Sequence, residues 1–302
     1  MKIGTDQYNT FDTMTMDCWN DRVYYEGKEF PAGHFAAEIL NFAGVIHDPL
    51  LERITVLTAL VDDLSTAEKS KRHDVAAQLK PLLHDTVSWL YTCPPFCYCE
   101  SQGAYEDLEH ALSEERLDRD YEEGEAHLPY LALSSCEPIL RILVAIYNFC
   151  LLIRAFEKKY LRRAKRRNAD AFAKAAHECF DEDDSFLNLL EQMPFGGVEE
   201  FFSYPRVITG FKYFQDENDE EKWKTAQRVI CKRAIDFYVF DLMNGLHHGH
   251  APSQCQGCGR YFLTTNGHIP KYCDGVAPQD SRYTCRQYGA MMHQKEQNKQ
   301  HP

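Results

Sequence analysis

Four cysteines in about the last fifty residues have the side chains and the spacing of metal ligands. Cys255 and Cys258 form a Cys-x2-Cys pair, and Cys273 and Cys285 follow after gaps of fourteen and eleven residues. Two thiolates at this spacing point at one ion because the turn between them, here containing Gly257, lets backbone N–H groups face the sulfurs. Four thiolates close a tetrahedral site, so the pattern predicts one bound Zn²⁺ ion.

A site closed by four thiolates leaves no position for water, which predicts a structural and not a catalytic zinc. A segment this short buries too little apolar surface to fold alone, and metal binding of on the order of 10 kcal/mol can supply the missing stability. Two alternatives stay open: four buried thiols without metal, or a histidine in place of Cys285 as the fourth ligand. The candidate histidines are His268 within the segment and His247, His248 and His250 just before it.

The residues around the cysteines predict the elements that hold them. Tyr261 and Phe262 suit a short strand, and Asn266-Gly267 is a turn signal, so we expect a hairpin after the Cys-x2-Cys pair. Cys285 stands at the front of a predicted helix over residues 286–297, where the helix dipole favours a thiolate. Together these elements predict a treble-clef or zinc-ribbon-like module.

The segment CQGCGRYFLTTNGHIPKYCD, followed by TCRQYGAMMHQKE, resembles the C-terminal part of an uncharacterised family from Gram-positive gut bacteria. The resemblance is clearest over residues 255–296. The segment is also distantly similar to CGNR-type zinc fingers, with residues 285–288 standing where those proteins have Cys-Gly-Asn-Arg. The shared order, a helical domain first and a finger last, implies a bacterial regulatory or adaptor protein and no known reaction.

The rest of the chain has mostly helical periodicity. Apolar residues recur three and four apart over residues 34–64, and further helices are predicted over 138–167 and 219–245. A short β-hairpin is predicted near the start, where residues 22–25 and 28–30 flank a two-residue turn. The predicted fold class is therefore mainly α.

Two domains are predicted from this organisation. Residues 1–250 form a mainly helical domain with the short hairpin at its start, and residues 251–302 form the zinc module. The boundary falls near residues 249–252, where glycine, histidine and proline replace the periodic apolar pattern.

Composition limits the class of protein. The start of the chain lacks the basic residues and apolar run of a secretory signal, so we expect a cytoplasmic protein with reduced thiols. The most apolar stretch, residues 142–153, is shorter than the about twenty residues of a membrane span, which favours a core helix and no membrane partner. Three further cysteines, Cys93, Cys97 and Cys99, are interpreted as ordinary thiols, with a redox or second metal role as the alternative.

Charge is unevenly distributed along the chain. The net charge is −13, but residues 251–302 carry +3, so the first 250 residues carry −16. This acidic part argues against indiscriminate coating of nucleic acid. It nevertheless contains a basic run, for which phosphate contact or pairing with upstream acids are both open: Arg154, Lys158, Lys159, Arg162, Arg163, Lys165, Arg166 and Arg167.

Three functions compete on these observations. The leading hypothesis is a nucleic-acid-binding or regulatory protein that contacts DNA or RNA through basic residues of the module, namely Arg260, Lys271, Arg282, Arg286, Lys295 and Lys299. The second is an adaptor whose module docks a protein partner or packs on its own helical domain. The third is an enzyme with its site in the helical domain, although the chain lacks His-Glu-x-x-His, Gly-x-Ser-x-Gly and glycine-rich phosphate loops, so we predict no enzyme.

One observation separates the first two hypotheses. Either the basic side chains of the module line an open surface, which favours nucleic acid, or acidic residues of the first domain neutralise them, which favours packing. The acidic candidates are Glu122, Glu123, Asp181, Glu182, Asp183 and Asp184.

Overall fold

Strands from the start of the chain and a later hairpin form a five-stranded antiparallel sheet, beside which long helices pack. The computed structural model describes residues 13–99, 102–117, 121–123, 126–128, 130–164, 166–184, 206–216, 219–265, 267 and 270–300. The strands are β1 (Met14–Trp19), β2 (Arg22–Tyr25), β3 (Lys28–Pro31), β4 (Tyr121–Glu123), β5 (Ala126–Leu128), β6 (Val207–Asp216), β7 (Asp219–Cys231), β8 (Ala251–Gln254), β9 (Tyr261–Thr264), β10 (Val276–Ala277) and β11 (Asp280–Thr284). The helices are α1 (His34–Thr66), α2 (Lys69–Leu90), α3 (Gln102–Ala111), α4 (Glu114–Leu117), α5 (Tyr130–Lys159), α6 (Ala169–Phe180), α7 (Ala234–His247) and α8 (Cys285–Gln300).

The sheet has the strand order β3-β2-β1-β7-β6. The hairpin predicted near the start is confirmed as β2 and β3, which pair through Tyr25 and Lys28. Its two turn residues, Glu26 and Gly27, have φ values of 46° and 71°, as a tight hairpin turn requires. Strand β1 also pairs with β7, so the strands at the start of the chain and the β6–β7 hairpin form one sheet.

The prediction of one helix over residues 219–245 is wrong. Strand β7 occupies its first half, and α7 begins only at Ala234. Trp223, Ala226 and Ile230 lie three and four residues apart, which imitates a helical stripe. The same segment lies between β1 and β6 as a central strand, and this pairing overrides the local pattern.

The predicted fold class is wrong for the same reason. The chain is an α/β mix and not mainly α, because it contains the five-stranded antiparallel sheet as well as the helices. Strand β1 was not predicted, and β6 with β7 forms a long hairpin that the helical pattern concealed. Of the five-stranded sheet, only the β2–β3 pair was predicted.

Helices α1, α5 and α7 form the centre of the helical layer. The long helix predicted over residues 138–167 is present as α5, which begins and ends eight residues earlier and contains Pro138. Within the described residues, the stretch Cys136–Arg163 is long and apolar enough to cross a membrane, but 67% of its most apolar window is buried inside the protein. A core helix accounts for this pattern.

The C-terminal module packs directly on the helical layer. Strand β8 pairs with β9, and both strands contact α1. The hairpin therefore encloses the Cys-x2-Cys pair, whereas the sequence placed it after that pair. Ala251 and Tyr261 belong to the main hydrophobic core, and the domain boundary at residue 250 stays a prediction.

Candidate metal centre

The four cysteines predicted as ligands lie together. Their sulfur atoms are all within 4.8 Å of one another, an arrangement that can hold a metal ion. The Cys258 and Cys273 Sγ atoms are 3.6 Å apart, close to the roughly 3.8 Å edge of a tetrahedron with Zn–S bonds of about 2.3 Å. Cys255 and Cys285 are 2% and 1% exposed. The cluster is thus small enough for one ion, and the side chains of Cys255 and Cys285 are shielded from water.

The β8–β9 hairpin positions the first two ligands. Cys255 follows β8 directly, and its N–H donates to the Arg260 carbonyl at 2.8 Å. The Gly259 N–H donates back to the Cys255 carbonyl at 2.9 Å. Gly259 has a φ of 74°, which favours glycine there. This tight turn fixes the backbone on which Cys258 sits.

The other two ligands are joined by the start of α8. Cys285 is the first residue of that helix, as the sequence predicted. Its N–H donates to the Gly275 carbonyl at 2.7 Å, and the next N–H, of Arg286, donates to the Cys273 carbonyl at 3.1 Å. Because α8 begins against the loop that carries Cys273, the two sulfurs meet although eleven residues separate them.

Backbone N–H groups make the Cys255 sulfur more acidic than those of Cys273 and Cys285. Burial raises the pKa of this thiol, but hydrogen bonds from the backbone at Cys273, Cys258 and Gly257 bring it down to about 7. Burial raises the pKa of Cys273 to about 11 and also raises that of Cys285, and in both cases the neighbouring sulfurs add to the effect. A bound divalent cation would offset that repulsion and stabilise four thiolates together.

Aromatic residues form a small core around the cysteines. Phe262, Tyr272 and Tyr288 pack against the cluster. A Cβ on Gly289 would lie 2.5 Å from the Tyr272 ring, so only glycine lets α8 approach this ring so closely. These tyrosines therefore serve the fold of the module.

Part of the basic run, which begins in α5 and continues beyond its end, attaches the module to the helical layer. The Arg162 guanidinium donates to Gln254 Oε1 at 2.7 Å, and the buried Arg167 donates to Thr264 Oγ1 at 3.3 Å. The Arg154 guanidinium lies over the Tyr261 ring at 5.8 Å. Arg162 and Arg167 thus attach the module and do not form the open phosphate-binding patch considered from sequence.

An asparagine on α1 completes this attachment. The Tyr261 N–H donates to Asn41 Oδ1 at 2.6 Å, and Asn41 Nδ2 donates to the Tyr261 carbonyl at 2.9 Å. Asn41 thereby pairs with β9 as a neighbouring strand would. No sequence motif pointed to this residue, because its partner is 220 positions away.

The basic residues of the module lie on its surface. Arg260, Lys271, Arg282, Arg286 and Lys295 are all exposed. Arg282 pairs with Asp280 at 2.7 Å and Arg286 with Asp274 at 3.0 Å, so acids of the module itself neutralise two of them.

Some acids proposed as neutralising partners are engaged elsewhere. Asp181 and Glu182 pair with His177, and Asp183 pairs with Lys159. The side chains of Glu122 and Glu123 lie outside the described residues, as do those of Lys165 and Lys299.

The histidines considered as alternative ligands have varied surroundings. His250 is buried, and its Nδ1 lies 2.9 Å from the Ala32 carbonyl, to which it hydrogen-bonds. His247 and His248 are exposed at the end of α7, and His268 lies outside the described residues. Cys285 Sγ occupies the fourth position of the cluster.

The remaining cysteines have other surroundings. Cys93 is buried, Cys97 is exposed, and Cys99 Sγ lies 3.2 Å from the Tyr25 hydroxyl. Within the described residues, the side chains placed to hold a metal ion are those of the module's cluster, to which these three cysteines do not belong. Cys18 and the buried group Cys136, Cys150, Cys179 and Cys231 lie in or beside the main core.

Residues 203–302 match the model of a family described as a family of unknown function, DUF6076. The match includes the segment 255–296 and extends upstream through β6, β7 and α7, so the unit that it defines is larger than the predicted module. It is consistent with an uncharacterised domain at this end of the chain, whereas similarity to CGNR-type fingers is not shown. No curated protein and no solved structure matches the chain.

Proposed function

We propose that this protein binds nucleic acid through its C-terminal module, which folds around one structural zinc ion. The observation that carries the proposal is the group of four cysteine sulfurs within 4.8 Å. Thiolates select zinc among the common divalent ions, and four of them leave no position for a substrate. The metal therefore supports a binding surface and takes no part in a reaction.

Exposed cations next to the cysteines support the choice of target. Arg260 lies between the Cys-x2-Cys pair and β9, and Lys271 lies two residues before Cys273. Lys295 adds a further exposed cation on α8. Side chains of this kind, on a rigid metal-bound turn, suit phosphate contacts that hold a polynucleotide in register.

A cavity beside the Cys-x2-Cys turn supplies a place for such a contact. It measures about 320 Å³ and is lined by Arg154 and Arg260 together with Asn41, Gln254 and Gly259. Arg154 donates one hydrogen bond to the Leu40 carbonyl at 2.8 Å, while its buried Nε has no hydrogen-bond partner among the described residues. Two arginines among the lining residues of one cavity favour an anionic group such as a phosphate.

The proposal is tested with the zinc-loaded full chain and labelled random-sequence DNA and RNA across a salt series. We expect salt-dependent binding to at least one polymer, since each neutralised phosphate adds about 0.9 to the negative slope of log affinity against log salt. The double variant Arg260→Glu, Lys271→Glu should bind several-fold more weakly and with a shallower slope.

The matched control is Lys174→Glu, which reverses the charge of an exposed lysine on α6, outside the module. It should bind as the parent does. Absence of salt-dependent binding even at low salt, or an equal loss in the control, would contradict the proposal.

A protein-docking adaptor is the second candidate, and one observation favours it. Arg282 and Arg286 are already paired with acids of the module, which lowers the field available to attract phosphates. In that case the zinc module holds a surface for another protein, and the double variant leaves nucleic-acid binding at the level of the control.

A further inference from the structure

Three aromatic residues on the β6–β7 hairpin are unusually exposed. Phe211, Tyr213 and Trp223 have exposed fractions of 73%, 68% and 66%. Cross-strand partners share one face of a sheet, and the register pairs Phe211 with Gln227, Tyr213 with Thr225, and Trp223 with Gln215. The three aromatics therefore lie on one face of the hairpin.

The same face becomes the main core further along the hairpin. Val229 pairs with Met16 of β1, and both side chains are fully buried against the helical layer. Trp223 precedes Val229 by six residues on β7, and Phe211 and Tyr213 pair with residues that precede Val229 by two and four. All three aromatics therefore lie beyond the point where the core covers the sheet. They continue a core-facing surface, and a surface of this kind in a soluble chain indicates an interaction site.

Between the core and Trp223 this face is also uncharged, and Glu221 follows beyond Trp223 toward the turn. Its positions on the outer hairpin are Phe211, Tyr213, Gln215, Trp223, Thr225 and Gln227. The opposite face carries Lys212 and Arg228, and both pair with Asp17. An aromatic face without charge suits a protein surface and not a phosphate backbone.

Strand β6 adds a directional element to the surface. It is ten residues long and stands at the edge of the five-stranded sheet, where β7 is its sheet neighbour among the described residues. A long edge strand offers a row of backbone donors and acceptors to another extended strand. The partner is therefore expected to add a strand to this edge.

We propose that the partner is a second copy of this chain, with β6 pairing antiparallel to β6 of that copy about a two-fold axis. A register centred on Phe211 sets this residue opposite its own counterpart and Thr209 opposite Tyr213. Lys212, the one charged residue between positions 207 and 215, then falls opposite Gly210 and not opposite another lysine. This register separates the two Lys212 side chains and places the two Phe211 rings next to each other, so β6 is complementary to itself.

Net charge limits how two copies can approach each other. Two copies with a net charge of −13 each repel in general. The two copies can approach along β6, where Lys212 is the one charged residue between positions 207 and 215. The dimer presents two metal modules, which would strengthen binding to one long polynucleotide.

The mass of the zinc-loaded full chain is measured by light scattering and by sedimentation over a range of concentrations. We expect a dimer for the parent. Phe211→Glu sets two carboxylates opposite each other and should raise the dimer dissociation constant at least about tenfold. The matched control is Val56→Glu, which adds the same charge at an exposed apolar residue of α1 and should stay dimeric. Circular dichroism checks that both variants are folded.

The register has its own test. Phe211→Lys alone should also be monomeric, but a mixture of Phe211→Lys with Phe211→Glu should form a mixed dimer, because position 211 faces position 211. A parent that stays monomeric at every concentration would overturn the proposal, and shielding of Trp223 from a soluble quencher in that monomer would indicate that another part of the chain covers the face. A Phe211→Glu variant that remains dimeric would overturn it as well.

Discussion

Asp241 of α7 caps the first turn of the neighbouring helix α1. Its two carboxylate oxygens accept hydrogen bonds from the Gly33 and Ala36 N–H groups, both at 2.9 Å. Gly33, at the start of α1, has no side chain to do this itself. A Cβ on Gly245, one turn along α7, would lie 2.8 Å from the Gly33 Cα, so the two helices approach closely enough for the cap. The long helix that carries Asn41 is thus fixed at its start.

Removing this cap should destabilise the whole helical layer. We expect Asp241→Ala to lower the free energy of unfolding by about 2 kcal/mol, because it leaves two buried N–H groups without an acceptor. Chemical denaturation followed by circular dichroism measures the change. Asp170→Ala, which removes an exposed aspartate from the first turn of α6, is the control and should cost much less. Equal losses in both variants would contradict the capping role.

Asp241 should also make stability depend on pH. Burial raises the pKa of its carboxyl to about 7, against the pull of the backbone N–H groups. The folded state therefore holds a proton that the unfolded state releases near pH 4, so the group's contribution is fully present below about pH 4 and is lost as pH rises to about 7. Asp241→Asn keeps an acceptor without the charge, so the parent should lose stability relative to this variant over that range, by up to about 4 kcal/mol. A constant difference between pH 4.5 and 8 would argue against the raised pKa.

Local chemistry explains what the sequence revealed of the site. The spacing of Cys255 and Cys258 is itself a metal-binding pattern, and Cys273 and Cys285 follow within one short segment. Such a pattern is readable because a metal site requires particular side chains and little else. The helix behind Cys285 was predicted for the same reason, since its start signals are local.

Long-range contacts explain what the sequence did not reveal. Asp241 and Gly33 are 208 positions apart, and nothing near either residue indicates the other. Phosphate contact stayed open for Arg162 and Arg167 because their partners on β8 and β9 are far away in sequence. Strand β7 was mistaken for a helix because its partners in the sheet, and not its own pattern, decide its structure.

Loss of the metal should unfold the module while α1, α5 and α7 persist. We expect one zinc ion per chain, and we expect Cys273→Ser to lose it, because three thiolates hold the ion less well than four. Metal analysis gives the content, and hydrogen exchange should show loss of protection over residues 255–285 with little change in α5. Cys97→Ser removes an exposed thiol outside the cluster and should keep the ion. A module that stays protected without metal would contradict the proposed structural role.

The contact between Gly289 and Tyr272 offers a test of the module's small core. In an ordinary helix, Gly→Ala adds up to about 1 kcal/mol of stability. Gly289→Ala should instead destabilise the module, because the new methyl group would stand 2.5 Å from the Tyr272 ring and force α8 away from it. Hydrogen exchange over α8 and the rate of zinc release to a chelator measure the effect.

Replacing Tyr272 by a smaller side chain should remove the clash that the alanine at position 289 creates. Tyr272→Val alone loses packing against the cysteines, but in combination with Gly289→Ala it leaves room for the methyl group. The effects of the two substitutions should therefore not add, and the double variant should release zinc more slowly than the sum of the single effects predicts. Additive effects would mean that α8 does not pack on Tyr272 through this glycine.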